Sequence, residues 1–258
     1  MRSLEVVVAT ATIIVAATVV VLARKKRKAT KSVRISNTES DRGNFQVLIV
    51  VDMQKDYDIQ ANVEMYGDVR CSYANDIARF VGPINAVRAS TAWDRVVFTF
   101  DWLGADLLAG RTPFCLEGSF GATLLNDLEI DASRDVTFRK NSDDSFCEVG
   151  GVAERLTSCS RLGDVLCALG YTSTNTSLVF VGQRFERCVF KTVMHARALG
   201  YDCSVVMDAT FAKTDEPDPE WSCGPEERVW EVRKAAGSRL SRGYLEGAGV
   251  RLVSSWPL

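Results

Sequence analysis

The chain has 258 residues, 47% of them hydrophobic and 25% charged, which is the composition of a globular protein rather than a disordered one. Its net charge of −2 gives no basic balance and argues against a nucleic-acid partner. Eight cysteines are scattered with no C-x-x-C spacing, so neither a zinc cluster nor a compact disulfide frame is expected. Several lie in apolar runs and read as buried free thiols in a reducing compartment.

Val6 to Ala23 carries no charge and is followed at once by Arg24, Lys25, Lys26, Arg27 and Lys28. At 1.5 Å per residue this stretch spans about 27 Å, enough for the core of a bilayer. A cleaved signal peptide has its positive charge in front, whereas here the charge lies behind. Residues 1–28 are therefore expected to be an N-terminal transmembrane helix with a basic flank, and the positive-inside bias puts Arg24 onward in the cytosol. Residues 29–44 are polar and aperiodic and read as a linker. Residues 45–258 are the expected folded domain.

In that domain short apolar runs alternate with helical patterns. Strands are predicted at Gln46–Val51, Arg95–Phe100, Asp135–Arg139, Ser177–Val181, Asp202–Met207 and Val250–Val253. Helices are predicted within Tyr73–Ala92, Arg161–Leu169, Glu186–Leu199 and Glu226–Leu245. This order implies an α/β fold, a three-layer αβα sandwich around a mostly parallel six-stranded sheet. Ligands of such sheets bind beyond the carboxyl ends of the strands. The residues found there are Asp52, then Asp101 with Trp102, then Lys140, then the run Gly182 to Cys188, and Asp208. Asp215–Pro225 reads as a loop with the makings of a lid.

A carboxylate, an ammonium and a thiol on one rim form a credible catalytic group. A thiol needs a nearby base to attack a carbonyl at neutral pH. The one histidine, His195, lies on the same predicted helix as Cys188, about 10.5 Å further along its axis, beyond hydrogen-bond reach. It reads as a structural or surface histidine. Asp52 with Lys140 is what the strand ends offer instead. The ammonium would hold the carboxylate and, with the helix N-terminus, favour thiolate.

Four ordered motifs carry a family resemblance. Val47–Tyr57 (VLIVVDMQKDY), Pro113–Leu124 (PFCLEGSFGATL), Phe138–Phe146 (FRKNSDDSF) and Val179–Thr210, which contains GQRFERC and ends in DAT, resemble the motifs of the isochorismatase-like cysteine hydrolases, closest to nicotinamidases. The resemblance covers about Val47 to Thr210. It implies a triad of Asp52, Lys140 and Cys188 and an oxyanion hole from the backbone N–H groups of Arg184 and Cys188. It also implies a cis peptide between Gln183 and Arg184. Tyr57, Trp102 and Gln183 fall where such enzymes wall the substrate pocket. The activity implied is hydrolysis of a small carboxamide, such as nicotinamide or a related amide or ureide, through a thioester. No cofactor is expected beyond the protein's own residues, the partner is a small-molecule substrate, and self-association is compatible with the family. The sequence departs from nicotinamidases after the second strand: Leu103 stands where the D-x-H metal motif has histidine, leaving a degenerate site at Asp101 with Asp106 nearby. No tightly bound transition metal is expected there, which favours a relative acting on another amide. The alternative is a catalytically degraded domain serving as a membrane-tethered binding module.

Overall fold

The computed structural model describes residues 45–256 except 92, 109, 111, 148–151, 154–159 and 214–236. The predicted anchor, linker and lid lie outside the described residues. Among the described residues no helix is long and apolar enough to cross a membrane.

The strands are β1 (Phe45–Val51), β2 (Arg95–Asp101), β3 (Val136–Lys140), β4 (Val152–Ala153), β5 (Thr176–Gly182), β6 (Asp202–Thr210) and β7 (Arg251–Val253). They form one sheet in the order β4-β3-β2-β1-β5-β6-β7. All neighbours pair in parallel except β3 and β4. The six predicted strands are thus present, and the short antiparallel β4 adds an edge that no apolar run announces.

β1 occupies the middle because it can be buried on both faces: Val47 through Val51 are all fully buried. Burying each such side chain contributes about 1.5–3 kcal/mol, so this strand anchors both layers. Val47, Ile49 and Val51 pack with Leu162, Val165, Phe190, Val193 and Leu245. Those residues come from α3 (Leu162–Ala168), α4 (Phe190–Ala198) and α5 (Gly237–Gly247). Leu48 and Val50 face the other way, onto Ile77, Val81, Ile84 and Val87. The last three are the apolar stripe of α2 (Val81–Ser90).

One helical prediction is narrowed, and one helix was not predicted. The segment Tyr73–Ala92 becomes helical only from Ala78, where a 3₁₀ turn leads into α2. A helix not expected, α1 (Ile59–Tyr66), buries just Asn62 and so has no apolar stripe to read. Its ends define it instead. Asp58 Oδ1 accepts from Ala61 N at 2.9 Å, and Gly67 closes the other end with φ of 76°. The other oxygen of Asp58 accepts from Ala78 N at 2.8 Å, so one carboxylate serves two helical segments.

Strand order reverses between β1 and β5. The chain leaves β1 toward β2 and β3, then returns to build β5, β6 and β7 on the other side. A crevice for ligands opens at such a switch point. Gly182 sets how closely its two walls approach. Its φ is 107°, and a Cβ there would meet Val51 O at 2.2 Å.

Candidate active site

Asp52 leaves β1 in the left-handed region, with φ of 51°. That conformation is sparsely populated for any residue but glycine and clusters at functional sites. Thr99 O accepts its N–H at 2.9 Å, and Thr99 Oγ1 donates to Asp52 Oδ1 at 3.1 Å. Lys140, at the end of β3, donates from Nζ to Asp52 Oδ2 at 2.7 Å. The same ammonium also donates to Asp101 Oδ1, and Tyr57 OH donates to Asp101 Oδ2. All of these groups are buried.

Cys188 lies in a π-helical turn, Phe185–Val189, that runs directly into α4. Its Sγ and a carboxylate oxygen from each of Asp52 and Asp101 all lie within 4.8 Å of one another. The sheet therefore brings together the three residues of the expected triad. Gln183 locks the cysteine turn to β1, with its N–H on Val51 O and its Nε2 on Asp52 O, both at 2.9 Å. The Gln183–Arg184 peptide is cis, at the bond where the resemblance places it.

Lys140 was expected to favour thiolate, and it does pull in that direction, but burial, with Asp52, Asp143 and Asp101 adding to it, outweighs that pull and pushes the Cys188 thiol well above its ordinary range. Burial works to lower Lys140, but Asp101 and Asp52 outweigh it and raise the ammonium well above its usual value. Burial also pushes Asp101 up to about 7, despite Lys140, with Asp52 adding to the rise. The resting group is thus a protonated thiol beside an ammonium held between two carboxylates.

Four residues of the site had no assigned role in the sequence. Asp143 Oδ1 lies 3.9 Å from Cys188 Sγ, and its Oδ2 accepts from Lys191 Nζ at 3.0 Å. Burial works against that charge, but Lys191 and Arg187 outweigh it and hold the carboxyl below its usual value. The doubled aspartate of FRKNSDDSF was the signal. Thr99 steadies Asp52. Gln54 takes Asp101 N–H at 2.7 Å and donates to Asp101 O at 2.8 Å. Asp56 Oδ2 accepts Cys115 N–H at 2.7 Å, while a Cβ on Gly121 would come within 2.1 Å of Asp56 Oδ1. The glutamine and aspartate after Asp52 therefore fasten the strand end to the glycine loop.

Other predicted positions fall as follows. Tyr57 is buried, its ring centroid 5.9 Å from that of Phe114. Trp102 donates its N–H to Lys140 O at 2.6 Å and lies beneath the Arg139 guanidinium, 4.2 Å from its ring centroid. Arg184 is buried. Asp208 does not join the group: it is exposed on β6 and donates its N–H to Ser254 O. His195 pairs with Asp144, its Nδ1 2.8 Å from Oδ2. A cleft of about 170 Å³ lined by Lys55, Glu64, Phe120 and Asp127 contains none of the triad.

The isochorismatase domain model matches residues 46–223. The chain belongs to the isochorismatase family. A search of curated proteins found no match. Solved structures share the isochorismatase-like fold at low identity. N-carbamoylsarcosine amidase from Thermoplasma acidophilum is 22% identical with a TM-score of 0.52, over 83% of this chain and 98% of that one. PnC1 from L. infantum, in complex with nicotinate, is 23% identical with a TM-score of 0.56, over 81% and 92%. Pyrazinamidase of Pyrococcus horikoshii, in complex with zinc, is 19% identical with a TM-score of 0.52, over 81% and 98%.

A family metal at Asp101 does not fit the residues present. Both of its carboxylate oxygens are engaged, one by Lys140 and one by Tyr57. Leu103 turns into the apolar cluster on that side of the sheet and offers no donor.

Proposed function

We propose that this isochorismatase-family hydrolase is a cysteine amidase. It cleaves the C–N bond of a small carboxamide or ureide through a thioester. One observation carries the reading: a thiol, two carboxylates and a shared ammonium, drawn from four strand ends, meet in a buried cluster.

The roles follow from the geometry. The substrate carbonyl enters beside Cys188, and Asp52 takes the thiol proton as sulfur attacks carbon. Because the resting thiol is protonated, proton transfer accompanies attack rather than preceding it. Asp52 returns the proton to the leaving nitrogen, ammonia departs, and water then cleaves the thioester to the acid. Lys140 keeps Asp52 aimed through the contact of its Nζ with Oδ2. The backbone N–H groups of Arg184 and Cys188 serve the oxyanion. Gln183 Oε1 is buried without a partner among the described residues, while its Nε2 is fixed on Asp52 O. A substrate N–H would satisfy it. Tyr57 and Trp102 line the pocket. The closed Asp101 site favours an amide or ureide bound without a metal over nicotinamide itself. Residues 1–28 tether the domain to a membrane, with the domain on the cytosolic side.

The test is ammonia release by the purified chain from a panel of nicotinamide, aliphatic carboxamides and N-carbamoyl amino acids. Cys188→Ala and Asp52→Asn are the controls. Turnover of at least one substrate, reduced to background in both variants, is expected. Release that survives Cys188→Ala, or none from any substrate, sinks the proposal.

A further inference from the structure

A second cluster of metal-ligating side chains begins at Asp144, next to Asp143, and reaches His195 on α4. Asp144, Cys147 and His195 present donor atoms that all lie within 4.8 Å of one another. Asp144 Oδ2 is 2.8 Å from His195 Nδ1 and 3.3 Å from Cys147 Sγ. We propose that these three residues bind a zinc-class divalent ion at a site separate from Cys188.

The donor chemistry selects the ion. One thiolate, one imidazole nitrogen and one carboxylate oxygen suit a borderline metal such as zinc and are a poor match for calcium or magnesium. The spacing also fits. Tetrahedral zinc bonds of 2.0–2.3 Å place neighbouring donors about 3.3–3.8 Å apart. The Asp144–His195 and Asp144–Cys147 separations need to open by roughly 1 Å or less to admit the ion. The ion would replace the contacts that now join imidazole and thiol to the same oxygen. Binding releases the thiol proton. The imidazole coordinates through Nδ1 with its remaining proton on Nε2, so a dication meets two anionic ligands.

The ligands are already oriented. The second oxygen of Asp144 accepts Phe146 N–H at 2.9 Å, an outer hydrogen bond of the kind that fixes a metal carboxylate. The His195 ring packs against Phe146, with centroids 5.7 Å apart. Side-chain exposure of 35% for His195 and 14% for Asp144 leaves the group open to an incoming ion and to a water in the fourth position. The site would staple the loop after β3, which follows Lys140 and carries Asp143, to the helix that follows Cys188. Besides the Asp144–His195 contact that the ion would replace, Asp143 with Lys191 and Ser145 with Thr192 fasten the same junction.

The experiment titrates zinc into the full metal-stripped chain against a chromophoric chelator, and cobalt alone as a spectroscopic probe. Expected are one equivalent of zinc per chain and a thiolate-to-cobalt charge-transfer band. His195→Gln and Cys147→Ser should each weaken binding more than about tenfold, since even an outer-sphere partner accounts for 10–100-fold. Cys188→Ser should bind as the parent does. The parent binding no stoichiometric zinc overturns the proposal. So does binding that survives both ligand variants, or is lost in Cys188→Ser, because the ion then belongs elsewhere. Should one ligand variant fail to fold, the other and the parent cobalt spectrum decide.

Discussion

Lys140→Met removes the ammonium that lies 2.7 Å from Asp52 Oδ2 and also contacts Asp101. Two buried carboxylates would remain, with oxygens within 4.8 Å of each other. At an effective dielectric of about 20, that repulsion is about 3.5 kcal/mol. Removing one partner from a buried ion pair costs a similar amount, about 3–5 kcal/mol. For a domain of this size the fall in Tm at pH 8 should be roughly 6–20 °C. The loss should shrink by more than half near pH 5. There the folded variant keeps a proton between its crowded carboxylates that the unfolded chain has already released, so its stability falls as pH rises. Thermal and urea unfolding of parent and variant at both pH values measure this. Adding Asp101→Asn should recover most of the stability at pH 8 without restoring ammonia release. An equal loss at both pH values, or a loss that grows on acidification, would refute the reasoning that Lys140 holds two charged carboxylates.

Asp101 gives the parent its own pH signature. Its pKa is raised from 3.8 to about 7, so its contribution to stability falls as pH climbs through that window. The slope is at most about 1.4 kcal/mol per pH unit, and it should vanish in Asp101→Asn when urea midpoints are compared across pH. Gly121→Ala should lower stability by about 1–3 kcal/mol in urea unfolding, because the added carbon lands on the Asp56 carboxylate. Asp143→Asn removes a charge that opposes the thiolate of Cys188. The pH profile for alkylation of that sulfur by iodoacetamide should therefore move to lower pH, and an unchanged profile would show that Asp143 does not reach it.

The parallel sheet was readable because burial on both faces writes continuous apolar runs such as QVLIVV and SLVFV into the chain. Residues at the ends of those runs were readable for the same reason. In a parallel sheet, strand ends converge, and Asp52 does meet both Lys140 and Cys188. What escaped notice has no such periodicity. α1 is held by caps rather than by an apolar stripe, and β4 is two residues at an edge. Asp101 was read as the remnant of a metal motif. Its engagement by Lys140, Tyr57 and Gln54 depends on separations in space that spacing along the chain does not encode. The raised thiol escaped for a related reason. One lysine was visible in the motif, but the sum of burial and three carboxylates around the sulfur is a property of the folded interior.

The return of the chain past β1 to start β5 has a consequence for how competence is acquired. Asp52 meets Lys140 across 88 positions of sequence, and Gln183 reaches the Asp52 carbonyl across 131. Closing such long loops is slow. No hairpin or single βαβ fragment can hold Cys188 and Asp52 together. Hydrolytic competence should therefore emerge late in folding, and a nick that separates the two halves of the sheet should silence it while leaving each half's helices intact.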